Sequence, residues 1–504
     1  MINPRSILVR RTRFLAGAAA LIFLAWGLAL RAAEKPNIVF ILADDLGYGD
    51  VGAFGQKKIR TPNLDRLAAE GMRLTQHYSG NAVCAPSRCV LMTGKHPGHA
   101  YIRNNRELRP EGQEPLPAET MTLAKRLREA GYTTGAFGKW GLGGPGSSGD
   151  PLNQGFDRFY GYNCQRVAHN YYPTYLWDND RRVELDNPDF AAHQKLPEGA
   201  DPSDPASYQP YAGREYAPDL IMAQAREFVK ANREKPFFLY VPTTVPHLAL
   251  QVPEDSLAEY KDQFADEPYP GGRSYLPHPF PRAAYAAMVT RLDAEIGRIV
   301  ELVQELGLEQ KTLFVFSSDN GPLFNRLGGT DSDYFDSAAG LRGRKGSLYE
   351  GGVRVPTIVR WKGRIQPGTA SARVTGFEDW LPTLLELAGT KSPGGIDGIN
   401  FAPVLFGEKL PEREFLYREF PAYGGQQSLR MGDWKAIRVN LMGNRQNHPG
   451  AGKLELYDLK NDPGESRDAA ADNPEIVDRM ERVMRREHVP SPVFAFPALD
   501  ADAN

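Results

Sequence analysis

Residues 36–45 have the sequence Pro36-Asn37-Ile38-Val39-Phe40-Ile41-Leu42-Ala43-Asp44-Asp45, a continuous apolar run that ends in two carboxylates. An apolar run bounded by turn residues is typical of a strand buried on both faces, as in a parallel sheet. Further along the chain, predicted helices alternate with predicted strands, which favours an α/β fold with a large, mostly parallel sheet flanked by helices. The predicted helices span residues 62–71, 120–130, 219–232 and 283–306, and the predicted strands span 237–241 and 312–316.

The alternation of predicted helices and strands changes in two parts of the chain. Residues 141–216 are rich in Gly, Pro, Asp, Asn and Tyr and have little periodicity, so we predict loops there. After residue 392 come short strand patterns at 415–418, 434–439 and 454–459, followed by a helical pattern at 474–486. We therefore predict a larger domain over residues 34–392 and a smaller C-terminal α+β domain, an antiparallel sheet plus a helix, over 393–504.

Composition excludes several classes of protein. The chain has 504 residues, 41% of them hydrophobic, which argues against a disordered or coiled-coil protein. Its 60 basic and 62 acidic residues give a net charge of -2, so nothing indicates a nucleic-acid partner. Its three cysteines, Cys84, Cys89 and Cys164, are too few for a disulfide scaffold.

The first 33 residues have the pattern of a secretory signal peptide. Four arginines precede an apolar run over residues 14–30, which is followed by Arg31-Ala32-Ala33. We expect cleavage after this segment and export to the periplasm or the medium, with no stable membrane partner. An uncleaved membrane anchor is the alternative, because the apolar run is long for a signal.

Two predicted strands end in oxygen-rich pairs, Asp44-Asp45 and Asp319-Asn320. Ligands collect at the carboxyl ends of the strands in open α/β sheets, so these pairs are expected to converge. Three carboxylates in one place repel one another unless a cation neutralises them, and an all-oxygen set suits calcium or magnesium. Each pair taken alone also suits a helix cap or a turn.

The segment Cys84-Ala85-Pro86-Ser87-Arg88 is the second chemical feature. A lone cysteine is most often a small buried hydrophobic residue. A thiolate beside the permanent charge of Arg88 would instead be a reactive nucleophile. Sulfur is a poor partner for a hard cation, however, so neither interpretation accounts for Cys84 beside a calcium-type site.

With Leu91-Met92-Thr93-Gly94, this segment resembles the signature of the formylglycine-dependent (type I) sulfatases of the alkaline-phosphatase-like superfamily. In that family the signature cysteine is oxidised by a maturation enzyme to an aldehyde, and the aldehyde hydrate attacks sulfur. The resemblance covers most of the mature chain. It extends to segments that contain Asp44-Asp45, Gly138-Lys139-Trp140, His247, Asp319-Asn320-Gly321, Gly343-Arg344-Lys345-Gly346, residues 349–356 and Leu456-Tyr457-Asp458-Leu459.

The resemblance implies a role for each matching residue. One calcium ion per chain would be held by Asp44, Asp45, Asp319 and Asn320 and faced by oxidised Cys84. Arg88 would orient and polarise the hydrated aldehyde. Lys139 and Lys345 would bind sulfate oxygens, and His247 would protonate or hydrogen-bond the leaving alcohol. Fixed cations in a dry site stabilise the charge that spreads over the sulfate oxygens as the ester breaks.

The chain departs from the family pattern at one position. The family has Gly-Lys-Trp-His-Leu-Gly, with that histidine as the base of the release step, and this chain has Gly141 there. We predict that His169 takes the vacated role, since a glycine leaves room for an imidazole from a neighbouring loop. His96 and His99 are weaker candidates.

The predicted substrate is a sulfated carbohydrate. Tyr171, Tyr172, Tyr175 and Trp177 form an aromatic cluster that could stack on a sugar ring, although such clusters also serve plain packing. Asp331, Asp333 and Asp336 lie in a segment suited to accept hydrogen bonds from hydroxyls. Two alternatives stay open: a phosphate mono- or diester hydrolase of the same superfamily, and a non-catalytic binder of sulfated glycans.

Overall fold

The computed structural model describes residues 35–272, 274–443 and 452–501. The predicted signal peptide, residues 1–33, lies outside these ranges. Within them, no helix has both the length and the apolar character needed to span a membrane.

The strands, numbered in chain order, are β1 (Asn37–Ala43), β2 (Met72–Leu74), β3 (His77–Tyr78), β4 (Thr133–Lys139), β5 (Arg158–Tyr162), β6 (Tyr175–Asp178), β7 (Arg181–Glu184), β8 (Phe237–Pro242), β9 (Thr312–Ser318), β10 (Thr357–Arg360), β11 (Thr369–Ser371), β12 (Thr375–Gly376), β13 (Leu416–Phe420), β14 (Gln426–Met431), β15 (Trp434–Val439) and β16 (Leu454–Asp458). The α-helices are α1 (Pro62–Ala69), α2 (Cys84–Thr93), α3 (Leu123–Glu129), α4 (Ala217–Ala231), α5 (Glu254–Leu257), α6 (Pro281–Glu305), α7 (Glu350–Val353), α8 (Trp380–Leu387), α9 (Ala402–Leu405), α10 (Pro474–Arg486) and α11 (Pro497–Asp500).

The larger sheet has ten strands in the order β11-β2-β10-β9-β1-β8-β4-β5-β6-β7. Its centre, from β9 to β5, is parallel, and antiparallel pairs occur toward both edges. The predicted mostly parallel sheet is therefore confirmed. Ala43 of β1 pairs with Ser318 of β9, so the two polar pairs that follow these strands leave the sheet side by side.

Helices cover both faces of this sheet, because β1 contributes side chains to two separate apolar clusters. Val39 and Ile41 pack with residues of α4 and α6 on one face. Ile38, Phe40 and Leu42 pack with residues of α2, α3 and α8 on the other. Alternate residues of a strand point to opposite faces, so a strand covered on both sides needs a continuous apolar run.

Residues 141–216 differ from the prediction of loops, because they include β5, β6 and β7. Strand β5 contains Gly161 (φ 150°), and a Cβ there would lie 2.0 Å from the carbonyl oxygen of Gly138 on β4. The strand thus uses a glycine where two backbones approach closely. In β7 the residues are exposed or partly exposed, so that strand has no apolar pattern.

The smaller sheet is antiparallel, in the order β13-β14-β15-β16. Helix α10 packs on it through Met480 and Met484, which lie in one apolar cluster with Tyr417 and Leu429. The predicted C-terminal antiparallel sheet with its helix is therefore confirmed. The domain boundary at residue 392 stays a prediction.

Candidate active site

Cys84 is the first residue of helix α2, and every residue of that helix is buried. The positive end of a helix dipole lies at its N-terminus, which favours an anion beside Cys84. Arg88 follows one turn later on the same face of the helix. The helix ends at Gly94 (φ 68°), whose N–H donates to the carbonyl oxygen of Val90. The structure leaves Cys84, Cys89 and Cys164 as free thiols.

The predicted metal ligands lie together at the carboxyl edge of the larger sheet. Asp44, Asp45, Asp319 and Asn320 are fully buried. The backbone N–H of Asp45 donates to Oδ1 of Asp319 at 3.2 Å, and Nδ2 of Asn320 donates to Oδ1 of Asp45 at 2.7 Å. Sγ of Cys84 lies 3.5 Å from Oδ1 of Asp44.

This group has the chemistry of a cation site. Among the described residues, Oδ1 of Asn320 is buried and accepts no hydrogen bond, so one amide oxygen is left for a ligand. Burial and the charge of Asp44 raise the pKa of Asp319, and burial raises the pKa of Asp45 although Lys345 opposes the shift. A bound cation would lower the pKa of both carboxyl groups toward its usual value. Oxygen donors of this kind suit calcium or magnesium.

Three cations surround the carboxylates. Nη2 of Arg88 lies 2.9 Å from Oδ2 of Asp319 and 3.3 Å from Oδ2 of Asp44. Nζ of Lys139 lies 2.6 Å from Oδ2 of Asp44, and Nζ of Lys345 lies 2.8 Å from Oδ2 of Asp45. Burial alone would lower the pKa of each cation, but the carboxylates outweigh it and raise the pKa of all three. All three are therefore charged.

The same site opens into a cavity of about 350 Å³, lined in part by Cys84, Lys345, His247, His169 and His193. The rings of His169 and His247 are stacked, with centroids 4.8 Å apart and planes 12° apart. Nε2 of His247 lies 3.4 Å from Oδ2 of Asp45. Burial lowers the pKa of both stacked imidazoles, and neighbouring positive charges add to the shift, so both are neutral at pH 7.

The sequence prediction did not count His247 as a metal-binding residue. Its ring nitrogen nevertheless belongs with Asp44, Asp45 and Cys84 to a group whose ligand atoms all lie within 4.8 Å of one another. Nδ1 of His247 lies 2.7 Å from the carbonyl oxygen of Leu248, which holds the ring in place.

The space beside Gly141 holds Gln165 and not the expected imidazole. A Cβ at residue 141 would lie 2.7 Å from Nε2 of Gln165, and Gly141 has φ 82°. Gln165 is buried, and its Nε2 has no hydrogen-bond partner among the described residues. His169 stacks on His247 instead.

The two weaker histidine candidates belong to another part of the fold. Nε2 of His96 lies 3.1 Å from Oε2 of Glu487, and Nδ1 of His99 lies 2.9 Å from Oδ1 of Asp397. Neither histidine is among the described residues that line the Cys84 cavity.

The predicted aromatic cluster does not line the cavity formed by the described residues. Tyr171 and Tyr172 are buried in the core, and Tyr175 and Trp177 both donate hydrogen bonds to Glu111. The aromatic residues at the cavity include Phe324 and Tyr423, which stack with centroids 6.1 Å apart and are 39% and 52% exposed. Sequence reasoning missed this pair.

The predicted acidic segment also lies away from the cavity in the described part of the chain. Oδ2 of Asp331 accepts from Arg282 at 2.6 Å, and Asp333 pairs with Arg344. Oδ1 of Asp336 accepts from the backbone N–H of Gly340 at 2.9 Å. These carboxylates bond to groups of the protein, and their contact with a substrate stays a prediction.

A buried cysteine lies among carboxylates and cations at the carboxyl edge of an α/β sheet, an arrangement that suits an enzyme acting on anionic esters. The family model "Sulfatase" matches residues 36–390, and the model "N-sulphoglucosamine sulphohydrolase, C-terminal" matches residues 343–488. The chain belongs to the sulfatase family of the alkaline-phosphatase-like superfamily.

Similar proteins span nearly the whole chain. Human arylsulfatase A is 33% identical over 93% of this chain and 90% of its own length. N-acetylgalactosamine-6-O-sulfatase of Bacteroides thetaiotaomicron is 29% identical over 90% of this chain and 93% of its own. The crystal structure of Ps i-CgsB matches with a TM-score of 0.75 and 28% identity, over 93% of this chain and 98% of that one.

Proposed function

We propose that this protein hydrolyses the sulfate ester of a sulfated carbohydrate, with formylglycine formed from Cys84 as the nucleophile. The observation that carries the proposal is the position of Cys84 at a cavity, between two ammonium groups. Its Sγ lies 3.5 Å from Nζ of Lys139 and 3.6 Å from Nζ of Lys345. An anionic ester placed over residue 84 would meet both charges.

The surroundings of Cys84 favour its oxidised form. Sulfur matches a hard cation poorly, and the neighbouring carboxylates suit a hard cation. Oxidised and hydrated, residue 84 would supply oxygen in place of sulfur, both as nucleophile and toward the cation. The proposal therefore requires a formylglycine-generating maturation enzyme as a partner.

The proposed cation is one calcium ion per chain, held by Asp44, Asp45, Asp319 and Asn320. Its chemistry would be charge neutralisation next to the nucleophile and the sulfate group. The unpartnered amide oxygen of Asn320 supports this assignment.

The protein's own cations have separate tasks in the proposal. Lys139 and Lys345 hold the sulfate oxygens, because their ammonium groups flank residue 84. Arg88 donates from both Nε and Nη2 to Oδ2 of Asp319, which fixes its guanidinium beside residue 84. Charges fixed before the reaction need no reorganisation as negative charge spreads over the sulfate oxygens.

The walls of the cavity suit a sugar. Gln113 and Gln165 line it, and each has one amide atom without a partner among the described residues, an acceptor on Gln113 and a donor on Gln165. Phe324 and Tyr423 offer exposed aromatic faces at the same cavity. The apolar face of a sugar ring could stack on the aromatics, and its hydroxyls could bond the amides once the two glutamine side chains turn toward the cavity, because both unpaired atoms are buried. The Ps i-CgsB structure has also been solved with k-i-k-neocarrahexaose.

The test is a substrate panel with the formylglycine-containing protein. Sulfated mono- and disaccharides are compared with aryl sulfates and with matched phosphate esters, and Cys84→Ala is the control. We expect sulfate release from at least one saccharide, slower release of phosphate from its phosphate counterpart, and none with Cys84→Ala. Release from aryl sulfates alone would contradict the carbohydrate assignment, and faster phosphate release would favour a phosphoesterase. Saccharide binding without product would favour a glycan binder.

We also propose that residues 1–33 direct export of the protein. Fractionation of cells that express the full chain should find it outside the cytoplasm, and a chain that starts at residue 34 should stay inside. Full-length protein in the membrane fraction would favour the anchor instead.

A further inference from the structure

We propose that His193 holds His169 in one tautomer, so that Nε2–H of His169 donates a hydrogen bond to the bridging oxygen of the sulfate ester. The inference rests on the proposed function and deepens it, because it names the group that stabilises the leaving alcohol. His193 would be a positioning residue, and His169 would touch the substrate.

A chain of hydrogen bonds determines which ring nitrogen carries the proton in His193 and in His169. The backbone N–H of Tyr275 donates to Nδ1 of His193 at 3.1 Å, so this nitrogen carries a lone pair. The proton of neutral His193 is therefore on Nε2, which lies 3.2 Å from Nδ1 of His169. His169 accepts that proton's hydrogen bond at Nδ1, and its own proton is on Nε2.

The Nε2–H of His169 is available to a substrate. His169 lines the same cavity as Cys84 and Lys345, and its Nε2 has no hydrogen-bond partner among the described protein groups. Stacking on His247 and an edge contact with Tyr275, with centroids 5.1 Å apart, hold the ring in place.

The stacked partner has the opposite tautomer. His247 donates from Nδ1 to the carbonyl oxygen of Leu248, so its Nε2 lone pair faces the site. The two parallel rings thus offer one donor and one acceptor. In this proposal His169 is a donor and not the base that the sequence predicts, since its Nδ1 lone pair accepts from His193 and its Nε2 carries the proton.

The chemical step needs no charged histidine. One hydroxyl oxygen of the hydrated aldehyde at residue 84 bonds to sulfur as the S–O ester bond breaks, and the electron pair of the broken bond goes to the bridging oxygen. The Nε2–H of His169 bonds to that oxygen while it carries negative charge, and the proton released by the attacking hydroxyl, carried through water, completes the alcohol. A neutral imidazole with a fixed N–H is an effective donor to such an oxygen.

The first test uses the dependence on the leaving group. A sugar alkoxide needs this hydrogen bond far more than a nitrophenolate, whose charge is delocalised. His169→Phe should lower kcat about 100-fold for a sugar or alkyl sulfate and less than about 5-fold for nitrophenyl sulfate. Equal losses for the two substrates would overturn the proposal, because a merely structural defect does not discriminate between leaving groups.

The second test addresses His193. His193→Phe keeps a ring next to Tyr275 but removes the donor, and it should lower kcat for the sugar sulfate about 10-fold. His193→Gln can donate to His169 and accept from Tyr275, so it should stay within about 3-fold of wild type. Gln194→Ala, in the same segment, is the matched control and should be unaffected. A His193→Gln enzyme as slow as His193→Phe would contradict the proposal.

A third measurement is independent of activity. In protein with ¹⁵N-labelled histidine, the nitrogen shifts of His169, assigned by their loss in His169→Phe, should show a proton on Nε2. In His193→Phe they should show a mixture of tautomers. A proton on Nδ1 in the wild type would overturn the inference even in an active enzyme. A wild type that hydrolyses no sulfate ester would instead refute the proposed function and leave the tautomer measurable.

Discussion

Arg88→Met should destabilise the protein by about 3–5 kcal/mol, because it leaves a buried carboxylate without its partner. Arg88 is 1% exposed, and its Nε and Nη2 lie 3.1 and 2.9 Å from Oδ2 of Asp319. Among the described residues, Asp319 has no other ion-pair partner, whereas Asp44 keeps Lys139 at 2.6 Å. Arg88→Lys keeps the charge but loses the contact that two nitrogens make with Asp319, so we expect a destabilisation of about 2 kcal/mol.

The assay is urea unfolding followed by circular dichroism, in the presence of a chelator so that no metal compensates. Burial and the charge of Asp44 raise the pKa of Asp319. The loss of stability caused by Arg88→Met should therefore be larger at pH 8 than at pH 6, because protonated Asp319 no longer needs a cation. Arg233→Met is the control: this arginine pairs with Glu234 on the surface, and its loss should cost at most about 0.5 kcal/mol. An Arg88→Met protein within about 1 kcal/mol of wild type at pH 8 would refute the reasoning.

Three further predictions follow from single contacts. Gly141→Ala should destabilise the protein by about 1–2 kcal/mol, because residue 141 has φ 82° and the new Cβ would clash with Gln165. Adding Gln165→Ala should restore the stability lost to the clash but not the stability lost to backbone strain. A double-mutant cycle with no coupling between the two positions would contradict this. Burial raises the pKa of Asp293 to about 6, so its protonated form stabilises the fold below pH 4 and this contribution is lost as pH rises to 6. The free energy of unfolding of wild type relative to Asp293→Asn should therefore fall by about 2 kcal/mol from pH 4 to 7, and a constant difference would count against it. Calcium at a hundredfold excess over its dissociation constant should stabilise the protein by about 2.7 kcal/mol, and Asn320→Leu should remove most of that gain; an equal gain in both proteins would place the ion elsewhere.

Strands covered on both faces were predictable, because burial on two sides demands an apolar residue at every position. β1, β8 and β9 have this pattern, and the structure extends the two later predictions by one or two residues to Phe237–Pro242 and Thr312–Ser318. The last two strands at one side of the sheet, β6 and β7, were not predictable, since their residues are mostly partly exposed or exposed and carry no such signal.

The centre of the site could also be predicted from the sequence, because it follows directly from the buried strands. Asp44-Asp45 and Asp319-Asn320 follow buried strands directly, so parallel pairing brings them together without any knowledge of loops. The cavity walls depend on loops from distant parts of the chain. Gln165 fills the gap at residue 141, and Tyr423 lies in the connection between β13 and β14. No local pattern marks either residue.

The most direct test is the mass of the peptide that contains Cys84, measured in protein made with and without a formylglycine-generating enzyme, alongside sulfate release from the same samples. The account predicts an aldehyde at residue 84 in the first sample and sulfate release in proportion to the aldehyde fraction. The sample that carries only the thiol should be inactive. Equal sulfate release from a preparation in which residue 84 is wholly thiol would contradict the account.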